Sequence, residues 1–271
     1  LGLAALNAAK KALDSHSPSR EFIHLGENVG EGLAIGVNNS IVPAAQAASG
    51  MDAMAAERDG AAAYAAALNA KGVVTSIGHS DATYDECIAA INAGASCFTH
   101  TYNGQRGLHH REPGVVGAAM STPETYAEII CDGKHVNPAA IKALLQAKGW
   151  QHTVLITDCL GCGGMPEGSY TSGGMDVIMK DNLCWLADGK SIAGSVLTLA
   201  QGVKNIVDWG IASADIAIRM ATEVPARSAH IEDKCGSIMP GRDADFVVFD
   251  HELTLIETYV GGQSVGNAFT E

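Results

Sequence analysis

The chain has 271 residues, 47% hydrophobic and 17% charged, which suits one large packed domain or two modest ones and excludes global disorder. A formal net charge of −13, from 30 acidic against 17 basic side chains, argues against a nucleic-acid surface. It leaves room for an anionic small substrate met by a few local cations. No run approaches the roughly 18 apolar residues of a membrane helix. Lys10 and Lys11 follow the apolar amino end instead of preceding it, the wrong polarity for a signal peptide. The chain begins at Leu1 without an initial methionine, which reads as a fragment or processed product. Seven cysteines, an odd number with no regular framework, read as reduced thiols in a cytoplasmic protein.

Residues 1–53 differ in style from the rest. Leu3, Leu6, Ala9 and Leu13 have amphipathic helical spacing, and S-H-S-P-S at Ser15–Ser19 breaks it. A second helix is expected from Pro18, a first-turn residue, followed by E-F-I-H-L-G-E-N-V-G-E-G-L-A-I-G-V. Its repeated glycines suit close packing against another helix better than an isolated one. The S-P-S, F-x-x-L-G and E-G-L-A-I-G elements resemble the carboxyl-terminal part of phage tail tape-measure proteins. The plain alternative is a helical hairpin.

From Asp52 to Ala70 an alanine-rich run predicts a helix that stops at Lys71-Gly72. Val73, Val74, Ser76 and Ile77 then predict a short buried strand ending in Gly78-His79. Tyr84, Cys87, Ile88 and Ile91 have helical spacing over Thr83–Ala93, with Ser80 or Asp81 placed to cap it. Ser96–Tyr102 predicts a second strand with His100 exposed at its carboxyl end. Parallel strands joined by a helix aim such tips at one face, where two imidazoles can hold one metal ion. Histidine alone is a weak signal, since strand ends are often capped by it. Two in matching positions, joined by Asp158 at the tip of T-V-L-I-T-D, make the minimum set for metal-assisted hydrolysis.

Between these, Val115-Val116-Gly117 and Ala127–Cys131 are expected to supply the next strand, with His135 just beyond. Pro138–Ala147 predicts a helix capped by Asn137. Cys159-Leu-Gly-Cys162 is a lone C-x-x-C without a second pair, so a structural zinc site is not expected there. Val177–Leu186 predicts a small strand pair, and Ser195–Trp209 and Ala214–Thr222 predict two closing helices. The tail, C-G-S-I-M-P-G-R-D-A-D-F-V-V-F-D and L-T-L-I-E-T-Y-V-G-G, predicts short strands separated by turns.

The segments G-H-S-D-A-T, T-H-T-Y-N-G, R-E-P-G-V-V-G, C-D-G-K-H-V, L-I-T-D and I-A-G-S, from about Glu57 to Val265, resemble the N-acetylglucosamine-6-phosphate deacetylase family of the amidohydrolase superfamily. The resemblance implies an α/β fold: a partial (β/α)8 amidohydrolase barrel with strands five to eight and C-terminal β-sandwich strands, to which residues 1–53 add an N-terminal helical extension that the family does not normally carry. The implied units are 1–53, 54–230 and 231–271. It also implies His79 and His100 as ligands of a divalent zinc or iron ion and Asp158 as general base and acid. Asn103, Gly104, Arg111 and His135 match positions that hold the sugar phosphate, Arg111 reaching across a homodimer interface. Ile192, Ala193 and Gly194 match a loop lining the sugar. The implied reaction is hydrolysis of the acetamide of N-acetylglucosamine-6-phosphate. Two departures stand out. The family usually has alanine at the position of Gly104, and its third metal ligand, a glutamate in E-G-P-F on an earlier strand, has no counterpart here. The contrasting expectation is a non-enzymatic phage-tail-like segment joined to an inactive barrel fragment.

Overall fold

The computed structural model describes residues 58–172, 174–189 and 191–266. The expectations for residues 1–53, and for the start of the alanine-rich helix, lie outside them. Helix α1, Arg58–Asn69, ends where Gly72 takes a left-handed φ of 76° and returns its amide to Asn69 O at 2.9 Å.

Strand β1 (Thr75–Ile77), helix α2 (Tyr84–Asn92) and strand β2 (Ala95–Phe98) form the expected unit, with β1 and β2 parallel. The cap of α2 differs from expectation. Thr83 is the cap, in a reciprocal box: its side chain accepts from Glu86 N, and Glu86 Oε2 accepts from Thr83 N at 2.7 Å. Ser80 instead receives the amide of Ala82, and Asp81 is paired with Arg106 at 2.9 Å.

Helix α3, Gly114–Ser121, corrects a second expectation, since Val115, Val116 and Gly117 lie in it and not in a strand. All three are buried, and Val115 packs with Phe98 and Cys87. Burial on every side leaves the helix no polar face to declare its period, and it outweighs the β-preference of two adjacent valines. Strand β3 (Tyr126–Ile130), helix α4 (Pro138–Lys148) and strand β4 (Thr153–Ile156) follow. As expected, Asn137 caps α4, accepting from Ala139 N at 2.9 Å, with Pro138 in the first turn.

The four strands make one parallel sheet in the order β1-β2-β3-β4. Alternation along β3 turns Ala127, Ile129 and Cys131 toward the helices, into a core with Leu155, Ile141, Leu144, Ile206 and Met220. Glu128 therefore faces the other side. The carboxyl ends of all four strands open on one edge, and that edge carries the site.

The segment after β4 builds a four-stranded antiparallel sheet from β5 (Gly168–Ser172), β6 (Met175–Lys180), β7 (Leu183–Leu186) and β8 (Ile192–Gly194). It is larger than the expected strand pair, and Ile192, Ala193 and Gly194 lie in a strand where a loop was expected. Pairing with Cys184 and Trp185 of β7 straightens them. Helices α5 (Leu199–Asp208), α6 (Ala214–Ala221) and α7 (Glu223–Ser228) close over the core. The tail forms an antiparallel sheet of β9 (Phe246–Phe249), β10 (Leu255–Val260) and β11 (Gln263–Ser264). No helix of the described residues is long and apolar enough to cross a membrane.

Candidate active site

His79 follows β1 by two residues and His100 follows β2 by two. Both take left-handed backbone angles, φ 43° and 32°, and Asp158, two residues past β4, does the same at 49°. Non-glycine residues rarely hold such angles, and they gather where a site fixes a side chain against local preference. His79 Nε2 and His100 Nε2 meet at 2.9 Å, with ring planes 88° apart and centroids 4.5 Å apart.

His79 and Asp158 are exposed, whereas His100 is buried, contrary to the exposed tip expected of it. The strand stops earlier than the apolar pattern suggests, at Phe98, and Glu128 of the neighbouring strand takes up the amides of His100 and Thr101. His100 Nδ1 is buried without a hydrogen-bond partner, a costly state for an imidazole nitrogen. Two imidazole nitrogens converging at one edge are a donor pair suited to zinc or ferrous iron. They fit as two ligands only. Among the described residues no cluster of three or more His, Cys, Asp or Glu side chains forms a metal site.

Glu128 was not singled out from the sequence. Its Oε2 accepts the His100 amide at 3.3 Å, and its backbone carbonyl accepts that of Thr101 at 2.8 Å. Burial pushes its carboxyl above the usual range and the Asp158 charge adds to this, against the lowering effect of the His100 amide and ring. A carboxylate in the middle of Y-A-E-I-I, otherwise a core strand, was the signal available.

His135 sits beyond β3 with its Nδ1 2.6 Å from Asp132 Oδ2, both side chains largely buried. Burial raises the Asp132 carboxyl, but hydrogen bonds from the His135 ring and the amides of His135 and Lys134 outweigh it, and the result lies below the ordinary value. Asp132 thereby sets the orientation of the imidazole. Asn103 turns its amide back onto the strand tip, Nδ2 donating to His100 O at 3.2 Å. Gly104 has φ 58°, and a Cβ there would stand 2.8 Å from His79 Nδ1. Arg111 is exposed on the loop before α3, its Nη1 2.8 Å from His110 Nε2. It does not pair with Glu112, which instead accepts the amides of Tyr84 and Gly114. Gly194 of β8 lies against Leu160 and the carbonyl of Asp158, so β8 abuts the loop that leaves the Asp158 tip.

Residues 36–267 match the amidohydrolase family. The chain is 43% identical over 218 residues to N-acetylglucosamine-6-phosphate deacetylase of Vibrio furnissii, covering 80% of this chain and 54% of that one. It is 40% identical over 212 residues to N-acetylgalactosamine-6-phosphate deacetylase of Escherichia coli, covering 78% and 55%. Among solved structures it is similar to a mutant N-acetyl-D-glucosamine-6-phosphate deacetylase of Mycobacterium smegmatis in complex with N-acetyl-D-glucosamine-6-phosphate. The TM-score is 0.74 at 36% identity, over 78% of this chain and 56% of that one. The match spans about half the length of these two relatives. With the family pattern extending across the parallel sheet, its strand-tip residues and the carboxyl-terminal strands, the chain belongs to the amidohydrolase family.

Proposed function

We propose that this chain carries the carboxyl-terminal half of a deacetylase active site, for hydrolysis of the acetamide of N-acetylglucosamine-6-phosphate to glucosamine-6-phosphate and acetate in amino-sugar catabolism. The observation that carries this reading is the meeting of His79 and His100 at 2.9 Å, at the same sheet edge as the left-handed Asp158 tip. When bound, a zinc or ferrous ion held by the two histidines supplies Lewis acidity and lowers the pKa of water to about 7. Asp158, exposed at its tip, takes the proton of the attacking water on a carboxylate oxygen and returns it to the departing amine nitrogen. Amines leave poorly unless protonated, so this return is as necessary as the attack.

Arg111 and His135 recognise the phosphate. A guanidinium offers a bidentate contact, and the exposed position of Arg111 suits contribution across a homodimer interface. Asn103 and the Gly104 amide hold the sugar, and Ile192, Ala193 and Gly194 line it. The chain divides at about 53 and 230 into a helical extension, the partial barrel and the tail strands, and its thiols suit the cytoplasm. Turnover is impaired relative to a relative with three protein ligands. A second reading, a phage-tail-like segment joined to an inactive fragment, draws support from the two-ligand donor set.

The test is acetate release by the metal-supplemented chain from N-acetylglucosamine-6-phosphate, from its galacto epimer and from unphosphorylated N-acetylglucosamine. Slow release from the first, lost by about 10²-fold or more in Asp158→Asn, is expected. Equal release from the phosphorylated and plain sugars would remove the phosphate assignment, and no release would favour the second reading.

A further inference from the structure

The hydrolytic reading leaves the C-x-x-C of the Asp158 loop without a task. Cys162 and Cys184 are 22 residues apart, one in that loop and one in β7, yet their Sγ atoms lie 2.7 Å from each other. Both are buried, in a small core with Val177 and Met179 ringed by Leu160, Tyr170, Ala193 and Val196. Two thiols so lodged face each other with no solvent between them. They are not part of a metal cluster among the described residues. Cys159, by contrast, is exposed. Its Sγ folds back over Gly163, where any Cβ would strike it, and so lies against the backbone next to Cys162.

We propose that Cys162 and Cys184 form a reversible disulfide, with Cys159 as the entry thiol for a low-molecular-weight disulfide such as oxidised glutathione. A covalent sulfur–sulfur bond is about 2.05 Å long, so closure needs only a small approach of two atoms already in contact. Burial keeps the thiolate of either partner from reaching an external disulfide directly, and exchange needs access.

The steps balance. The Cys159 thiolate attacks one sulfur of the external disulfide, forming a mixed disulfide and releasing one thiolate. Cys162 attacks Cys159 Sγ and expels the second thiolate. Cys184 then attacks Cys162 Sγ, and the Cys159 thiolate leaves unchanged. In sum, Cys162 and Cys184 each lose a hydrogen, and the external disulfide takes up two electrons and two protons to become two thiols. Burial pushes the Cys184 thiol up to about 12, with Cys162 adding to it, and burial raises Cys159 too. Thiolate is therefore scarce at neutral pH and the exchange quickens as pH rises.

The bond pins the loop that leaves Asp158. Leu160 N already donates to Ser195 O and Ser195 N to Asp158 O, both at 3.0 Å. The disulfide would join that loop covalently to β7, beside β8, and fix the path of the chain from the Asp158 tip.

The experiment incubates the native chain with oxidised glutathione, alkylates it under denaturing conditions and maps unreduced peptides. A Cys162–Cys184 linked peptide, with Cys159 alkylated, is expected. A stable Cys159–Cys162 link, or a glutathione adduct on Cys159 with Cys162 and Cys184 both alkylated, would overturn the proposal. In Cys159→Ser the same linkage should form about tenfold or more slowly, because access is lost. An unchanged rate would overturn the entry role of Cys159.

Discussion

Two residues show how local geometry and burial set testable behaviour. Gly104 holds φ 58°, and its missing Cβ leaves room for the His79 ring, whose Nδ1 would lie 2.8 Å from an added methyl. Gly104→Ala should cost about 1 kcal/mol from the left-handed backbone and push the imidazole away from His100. Urea unfolding and histidine NMR shifts check both, and an unmoved His79 resonance would count against the contact. Lys148 is buried, its Nζ donating to Thr125 Oγ1 at 2.6 Å and to the Thr122 carbonyl, with no carboxylate in hydrogen-bond contact. Burial lowers its pKa from 10.5 to about 8. The folded state thus holds a penalised charge below pH 8, and stability rises with pH between about 8 and 10.5, where only the unfolded chain keeps the proton. Buried thiols at Cys87, Cys97, Cys131 and Cys184 oppose this, since burial keeps them protonated above the range of an unfolded chain. Comparison with Lys148→Met cancels the effect of Cys87, Cys131 and Cys184, while Cys97, whose charge acts on Lys148, is replaced in both chains by Ala. The variant's stability relative to the parent should fall by about 3 kcal/mol from pH 7 to pH 10.5. A pH-independent gap in paired denaturation curves would show that the ammonium is solvated.

At the scale of elements, what could be read in advance depended on whether a segment has two different faces. The β1, β2, β3 and β4 strands were legible because short apolar runs end in punctuating glycine, histidine or aspartate. Their tips followed, so the strand-tip positions of His79, His100 and Asp158 were legible, while their roles rest on the family resemblance. Helix α4 was legible from Asn137-Pro138. Helix α3 was not, because every residue from Gly114 to Ala119 is buried and no polar side marks its turn. Glu128 and Asp132 were missed because their importance lies in what they touch, and contacts across strands leave no spacing in the sequence. The cap of α2 was misplaced because Ser80 and Asp81, three and two residues before Thr83, offer the same capping chemistry. Its reciprocal bonds predict that Thr83→Ala destabilises the chain by about 1 kcal/mol, with Ser80→Ala and Asp81→Ala costing less. Thermal melts of the three variants decide it, and an equal loss in Ser80→Ala would return the cap to the place the spacing suggested.

For the molecule as a whole, the question is how complete a site one four-stranded sheet can build. Its carboxyl edge supplies two imidazole nitrogens and one exposed carboxylate, and the described residues form no three-ligand cluster. Catalytic zinc sites usually have three protein ligands and an open position. Removing an anionic ligand from such a set costs more than the roughly 10–100-fold that loss of an outer partner costs. Asp158 could complete the set only by giving up its freedom as a base, and Glu128 is held by the His100 amide. We therefore expect substoichiometric zinc after dialysis of the supplemented chain, falling to background in His79→Ala and in His100→Ala. Elemental analysis reads this without any dependence on turnover. One full equivalent of zinc in the parent, lost in both variants, would mean that a third ligand joins the two histidines from the residues around them. Zinc retained in both variants would place the ion elsewhere and sink the paired-histidine site.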